Sequence, residues 1–274
     1  GDVYAFPEGS IIYPNEPVIT IVAPLIDAQI IETAVLTMMN HQSLIATKAN
    51  RIVRAADGRI VADFGARRAH NVDAAVYGAR AAYIGGVQST ATVLAGQQFG
   101  IPVSGTMAHS WVMYYGSEYD AFKAYAEVYP NNAVFLVDTY DVLNSGVLNA
   151  IKVAKDVLEP MGKRLKGIRL DSGDLAYLAK KARCMLDDAG LEDCKIMASN
   201  SLDEYTITSL LIQGGPIDIF GVGERLITSK SDPVFGAVYK IASIEKDGMW
   251  EPRIKISESV EKITNPGLKK VYRV

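Results

Sequence analysis

Cysteine is almost missing from this sequence: Cys184 and Cys194 are the two thiols in 274 residues. A disulfide framework is thereby excluded, and two scattered thiols fit a reducing compartment and a packing role. A dominant charge of one sign is missing too. Lys and Arg number 28 against 31 Asp and Glu, a net charge of −3, and the two signs are interspersed, so the basic stripe of a nucleic-acid or anionic-membrane binder is absent. No apolar run reaches the roughly 20 residues needed to span a bilayer, and no leader pattern opens the chain. The expectation is a cytoplasmic protein whose partner is a small molecule, with no nucleic acid and no membrane. Nucleotide-binding loops are missing as well. There is no G-x-x-x-x-G-K-[ST] stretch, and GVGERLIT lacks the third glycine of a dinucleotide fingerprint.

Apolar residues are plentiful at 49%, and a chain of this length can bury roughly three quarters of its unfolded surface. Residues 2–23 alternate short β-rich pieces, SIIY and PVITIVA, with Pro, Gly and Asn punctuation, the pattern of antiparallel strands joined by turns. After Pro24, the residues Ile30, Ile31, Ala34, Val35, Met38 and Met39 recur at helical spacing. They predict a long helix, broken near His41. From Asp57 onward seven strand-like runs, RIVADFG, AAYIGGV, IPVSG, AVFLVD, GIRLD, KIMAS and DIFGVG, are separated by amphipathic helical stretches. This rhythm predicts parallel βαβ units, as a barrel or a doubly wound sheet. Past residue 229 it stops, and FGAVYKIASIEKDGMWEP reads as a hairpin turning at Lys-Asp-Gly. The expected division is an α/β barrel over residues 59–228 beside a smaller β-rich α+β domain from residues 1–58 and 229–274.

Polar residues collect at the carboxyl ends of the predicted strands: Arg67, Ser89 and Thr90, Thr106 with His109, Asp138, Arg169 with Asp171, Ser199 and Asn200, then Gly221 and Gly223. In parallel α/β folds those ends converge on the ligand site. Arg67 and Arg68 follow one another in DFGARRAH, so on a continuing strand only one faces a pocket. An arginine fork there suits a carboxylate or phosphate, although two solvated arginines fit the stretch alone equally well. Arg169 and Asp171 lie two apart in GIRLDSGDL, with Asp174 as the N-cap of the next helix. Asp171 is placed to accept sugar hydroxyls or to face a metal through water, and an ion pair with Arg169 is the plainer alternative. Gly221 and Gly223 offer backbone N–H groups to an anion, or serve only a turn. His109, in SGTMAHSW, is on its own most simply a structural histidine.

Taken together, GDVYAFPEGSIIYPNEP, DFGARRAH, GTMAHSW, RLDSGDL, GVGERLIT and NPGLKKVYR resemble, in order along the chain, the nicotinate phosphoribosyltransferase family of type II phosphoribosyltransferases. The resemblance implies an irregular, TIM-like α/β barrel beside a smaller domain. It implies a homodimer with shared active sites that joins nicotinate to phosphoribosyl pyrophosphate, giving nicotinate mononucleotide and pyrophosphate in NAD salvage, coupled to ATP hydrolysis. His109 matches the histidine phosphorylated in that cycle, with His70 a weaker competitor. Phe64 and Arg67 match the residues that hold the pyridine acid, and Ser89 and Thr90 are further substrate-binding candidates. Arg169 and Asp171 match those around the ribose and diphosphate, where Mg²⁺ bridges diphosphate oxygens without a direct protein ligand set. Ser199, Asn200, Gly221 and Gly223 match the 5′-phosphate site. Lys230 and Lys255 are further candidates for reaching diphosphate across the dimer.

The family's N-terminal segment, whose tyrosine stacks on the base in the partner's site, has no counterpart here, and the chain reads as lacking it. A nicotinamide-using relative would place an aspartate in the strand corresponding to YIGGVQSTAT, where this chain has Gln88, Ser89 and Thr90 and no acid. A quinolinate-using relative would need more cationic residues. Outside the family, a phosphate-binding barrel aldolase or isomerase would show a Schiff-base lysine or a carboxylate base on a barrel strand. A non-catalytic nucleotide-binding barrel is the third alternative.

Overall fold

The computed structural model describes residues 1–258 and 263–272; the last residue of the NPGLKKVYR motif, Arg273, lies outside them. Two units divide at 41/42 and 233/234. In the first unit β1 (Asp2–Ala5) pairs antiparallel with β2 (Ile19–Val22), Val3 opposite Ile21. The expected strand at SIIY is irregular chain. A short α1 (Leu25–Ile30) follows Pro24, and α2 (Glu32–Ala55) carries the chain into the second unit. The helix break therefore falls at Ile31, not near His41. Residues 25–55 contain neither Gly nor Pro, so nothing around His41 interrupts the backbone ladder.

The second unit is built on six parallel strands: β3 (Ile60–Asp63), β4 (Ser89–Thr90), β5 (Val134–Leu136), β6 (Gly167–Leu170), β7 (Lys195–Ser199) and β8 (Ile219–Val222). Their order is β4-β3-β8-β7-β6-β5. Apart from the closing β3–β8 pair, neighbours in the sheet are neighbours in sequence, the connectivity of a barrel. The ring is open between β4 and β5, where the predicted strand IPVSG contributes a single bridge, Val103 to Thr90. The other displaced strand is AAYIGGV. Its first four residues complete α3 (Val72–Ile84), which buries Ala75, Val76, Ala79 and Ala82. An alanine-rich run with a 3.6-residue apolar period favours helix over strand.

Between β4 and β5 run α4 (Val93–Phe99), α5 (His109–Tyr115) and α6 (Glu118–Val128). Next along the chain come α7 (Val147–Val153), α8 (Leu175–Asp188), α9 (Glu204–Ile212) and the short α10 (Glu224–Ile227). Asp174 caps α8 as the sequence predicts, accepting from the Tyr177 N–H at 3.0 Å. The core is continuous across the sheet. Phe135 stacks on Phe122 with ring centroids 4.8 Å apart, and Ile168, Leu170, Ile196 and Phe220 are fully buried. Each such side chain contributes about 1.5–3 kcal/mol of transfer free energy. Ile45, Ala49, Ile52 and Ala56 belong to this same core. Residues 42–58, expected in the smaller domain, therefore join the barrel unit.

The chain then returns to the first unit as a hairpin of β9 (Ser243–Lys246) and β10 (Met249–Pro252). Its turn residues Asp247 and Gly248 both have positive φ, 53° and 77°, as a primed two-residue turn requires. Among the described residues no helix is long and apolar enough to cross a membrane.

Candidate active site

Because all six strands run parallel, the residues just past their carboxyl ends gather on one rim. His109 opens α5, and its Nε2 lies 3.1 Å from Oδ1 of Asp138, just past β5. The Asp138 side chain is 1% exposed and that of His109 40%. The other oxygen of Asp138 accepts from the Asp171 N–H at 3.0 Å and the Ser172 hydroxyl at 2.6 Å. One buried carboxylate thus joins the histidine to the loop after β6. Asp171 in turn accepts from the Ser199 hydroxyl through Oδ1, which links β6 to β7.

Arg169 is half-buried on β6, its guanidinium carbon 5.9 Å from the centroid of the Phe64 ring. Burial pushes its pKa down, opposed by the charges of Asp171 and Asp138, with Arg67 adding to the decrease. Its Nε is buried and has no hydrogen-bond partner among the described residues. A buried donor of this kind is open to a ligand or a water. Arg169 and Asp171 form no direct salt bridge among the described residues. Asp171 sits one residue past the strand and turns to Ser199, so the ion-pair alternative is not taken up.

Phe64 explains Gly221. A Cβ on Gly221 would stand 2.6 Å from the Phe64 ring and 3.4 Å from Ser199 Cβ. The glycine makes room for the ring, which lies between β8 and Arg169. Gly223 stands at the N-cap of α10.

The arginine pair departs from its expected strand geometry. β3 ends at Asp63, and residues Ala66–Arg68 form a 3₁₀ turn, so strand alternation does not apply. Arg68 reaches Glu224 at 3.4 Å, and Arg67 is exposed on the rim. Thr90 is buried and donates to Oδ2 of buried Asp63 at 2.7 Å, while the Gly65 N–H donates to Oδ1 at 2.8 Å. Burial raises the pKa of Asp63, against the lowering effect of these two bonds. Ser89 bonds Ser104, and Asn200 accepts from Ser201. Lys230 pairs with Glu224 at 2.9 Å; that bond and the lysine's charge hold the Glu224 carboxyl below its usual range, with Arg68 and Arg225 adding to it against some desolvation. Lys255 belongs to the other unit.

His109, Asp171, Ser199, Gly221, Phe64 and Arg169 are thus brought together, whereas the Thr90 hydroxyl is taken up by Asp63. Two residues without an assigned role matter: Asp138, visible in sequence only as an acid after an apolar strand, and Asp63, hidden in DFG.

One oxygen donor at this site is of the hard kind that magnesium takes. Oδ2 of Asp171 has no partner among the described residues, and a hard carboxylate oxygen completed by phosphate oxygens suits that ion. Nor do three or more His, Cys, Asp or Glu side chains gather as a metal cluster among the described residues.

A model of the nicotinate phosphoribosyltransferase family matches residues 60–270. The nicotinate phosphoribosyltransferase of Bacillus subtilis strain 168 is 55% identical over 273 residues, 99% of this chain and 55% of that protein. Human nicotinic acid phosphoribosyltransferase superposes with a TM-score of 0.74 at 31% identity, over 81% of this chain and 55% of its own. Nicotinate-nucleotide pyrophosphorylase from Pyrococcus furiosus gives 0.72 at 35% identity, over 83% and 57%. The chain spans about half the length of these relatives.

Proposed function

The chain belongs to the nicotinate phosphoribosyltransferase family, and from that premise we propose that it joins nicotinate to phosphoribosyl pyrophosphate, with ATP hydrolysis coupled through a phosphorylated His109. The pyridine nitrogen bonds to C1 of the ribosyl donor as the C1–O bond to pyrophosphate breaks and its electron pair leaves with the diphosphate. No proton moves in this step, so positioning and charge carry the catalysis. Phe64 stacks the ring and Arg67 meets the carboxylate. Asp171 faces the positive charge that develops on the ribose, and Arg169 offers its unmet N–H to the donor. Ser199, Asn200, Gly221 and Gly223 hold the 5′-phosphate. Asp171 would stand beside a magnesium ion carried in on the diphosphate, and that ion would supply charge neutralisation for the leaving group.

One observation carries the ATP-coupled reading: the Asp138 carboxylate is shared by His109 and the Asp171–Ser172 loop. Its bond to Nε2 keeps the proton on that nitrogen and the lone pair on Nδ1. Nδ1 attacks the γ-phosphorus of ATP, the N–P bond forming as the P–O bond to ADP breaks, and water later releases phosphate. The phosphoryl group and the donor loop then bear on one buried anion. A second copy of the chain, as in the family, completes each site.

The test follows pyrophosphate release with nicotinate and phosphoribosyl pyrophosphate, with and without ATP. Release with nicotinate, stimulated by ATP, is the expected result. Release with nicotinamide or quinolinate in its place, or none with any acceptor, overturns the reading.

A further inference from the structure

Lys48 is 3% exposed and stands within the apolar stripe of α2, between the buried Ile45, Ala49 and Ile52. An ammonium group in such a place is costly unless it is paired. Its Nζ lies 2.7 Å from Glu204, the first residue of α9, and donates to Ser231 Oγ at 3.3 Å. The helix is thereby tied to two separate loops. One leaves β7 and runs through Ser199 and Asn200 to α9. The other leaves β8 and runs through Gly223 and α10 to Ser231. The same two loops are joined again by Asp203, the N-cap of α9, which accepts from Arg225 on α10 and from the Thr206 N–H.

Backbone strain marks the same place. Of the eight non-glycine residues with positive φ among those described, four lie here: Asn200 at 87°, Ser201 at 51°, Ser229 at 45° and Ser231 at 86°. Serine holds that conformation only when its surroundings over-determine it. Ser229 is buried and donates to Asp232 O at 3.0 Å, and Ser231 is held by Lys48. A methionine would fill the volume at position 48 without the desolvation cost, but it would fix neither loop.

We propose that Lys48 is a positioning residue, which through Glu204 and Ser231 locks the β7 and β8 loops into one rigid cradle for the 5′-phosphate of the ribosyl donor. This rests on the assignment of those loops to the donor phosphate. Lys48 itself touches no substrate and acts through the turns it holds.

The test compares the intact chain with Ser231→Gly and with the double variant Lys48→Met, Glu204→Gln, which leaves no lone buried charge. Calorimetry measures binding of phosphoribosyl pyrophosphate with magnesium, of inorganic phosphate and of nicotinate, and thermal unfolding reports the fold. Both variants are expected to bind the donor and inorganic phosphate about five- to tenfold more weakly, with nicotinate affinity changed less than about twofold. Glycine suits a φ of 86°, so Ser231→Gly should unfold no earlier than the parent while still losing phosphate affinity. A purely structural role cannot produce that combination. Unchanged donor affinity in Ser231→Gly overturns the proposal even if the double variant fails to fold, and so does an equal loss for nicotinate. A parent chain that binds nicotinate but neither phosphate probe removes the assignment of the loops, and this inference with it.

Discussion

Nε2 of His109 and Oδ1 of Asp138 stand 3.1 Å apart, with the histidine on the rim and the carboxylate beneath it, closed off from water. The arrangement fixes the ring's orientation and tautomer, much as a buried acid does for a catalytic histidine elsewhere. Replacing Asp138 by asparagine keeps the shape and removes the preference for a proton on Nε2. Phosphorylation of the protein by ATP should fall by about two orders of magnitude or more. Acid-labile phosphate retained on the protein measures it, and undiminished labelling would separate Asp138 from the phosphoryl step.

His109→Ala removes the acceptor outright. ATP stimulation is expected to vanish while slow, ATP-independent transfer persists, because Arg169, Asp171 and the donor loops remain. Pyrophosphate release with and without ATP decides the matter. Equal stimulation in the variant rejects a phosphohistidine at this position.

Arg67 is exposed and makes no ion pair among the described residues, so its removal should leave folding stability within about 0.5 kcal/mol. The KM for nicotinate should rise by about 10- to 100-fold, the value of one charge-assisted contact to a carboxylate. An unchanged KM would mean that another cation anchors the acid.

Much of this architecture is legible before folding is considered, and the reason is local. Strands β5 to β8 are short apolar runs bounded by turn residues and followed by polar ones, so their type and their functional ends coincide with the pattern. AAYIGGV defeats the pattern because a short apolar run taken alone reads equally as strand or helix, and only alanine's helix propensity together with the preceding periodicity extends α3 into it. Side-chain partnerships are legible only in part. Asp138 meets His109 across 29 residues and the Asp171 backbone across 33, and no spacing rule encodes either. Thr90 reads as a rim residue although its hydroxyl turns inward to Asp63, because a two-residue strand gives no facing. Lys48 is hidden for another reason: a lone cation in a helical stripe ordinarily snorkels to solvent, and only the position of Glu204 shows that this one stays inside.

Gly221→Ala tests the link between backbone and base site. The new Cβ would enter the Phe64 ring at 2.6 Å, which a flat ring flanked by Arg169 can relieve only by moving. Overpacking of this kind costs about 1–3 kcal/mol, seen as an earlier unfolding midpoint. The nicotinate KM should rise more than the KM for phosphoribosyl pyrophosphate. If both rise alike, the disturbance of the phosphate that Gly221 helps to hold weighs as much as the displacement of the ring.

Asp63 sets a pH dependence whose sign can be worked out. Burial raises its folded-state pKa above the ordinary carboxylate value, so the folded chain holds its proton more tightly than the unfolded one. Its contribution to stability is therefore full below the unfolded pKa and is lost as pH rises through the folded value. Asparagine cannot lose a proton, yet it can still accept from the Gly65 N–H and turn its amide toward Thr90, whose hydroxyl can rotate to accept. Measured by denaturant unfolding from about pH 3.5 to pH 7, the stability of Asp63→Asn relative to the parent should improve as pH rises. A difference that stays constant across that range would place the carboxylate's titration outside it, and the two hydrogen bonds, rather than the buried charge, would then define what Asp63 does for the turn that carries Phe64 and Arg67.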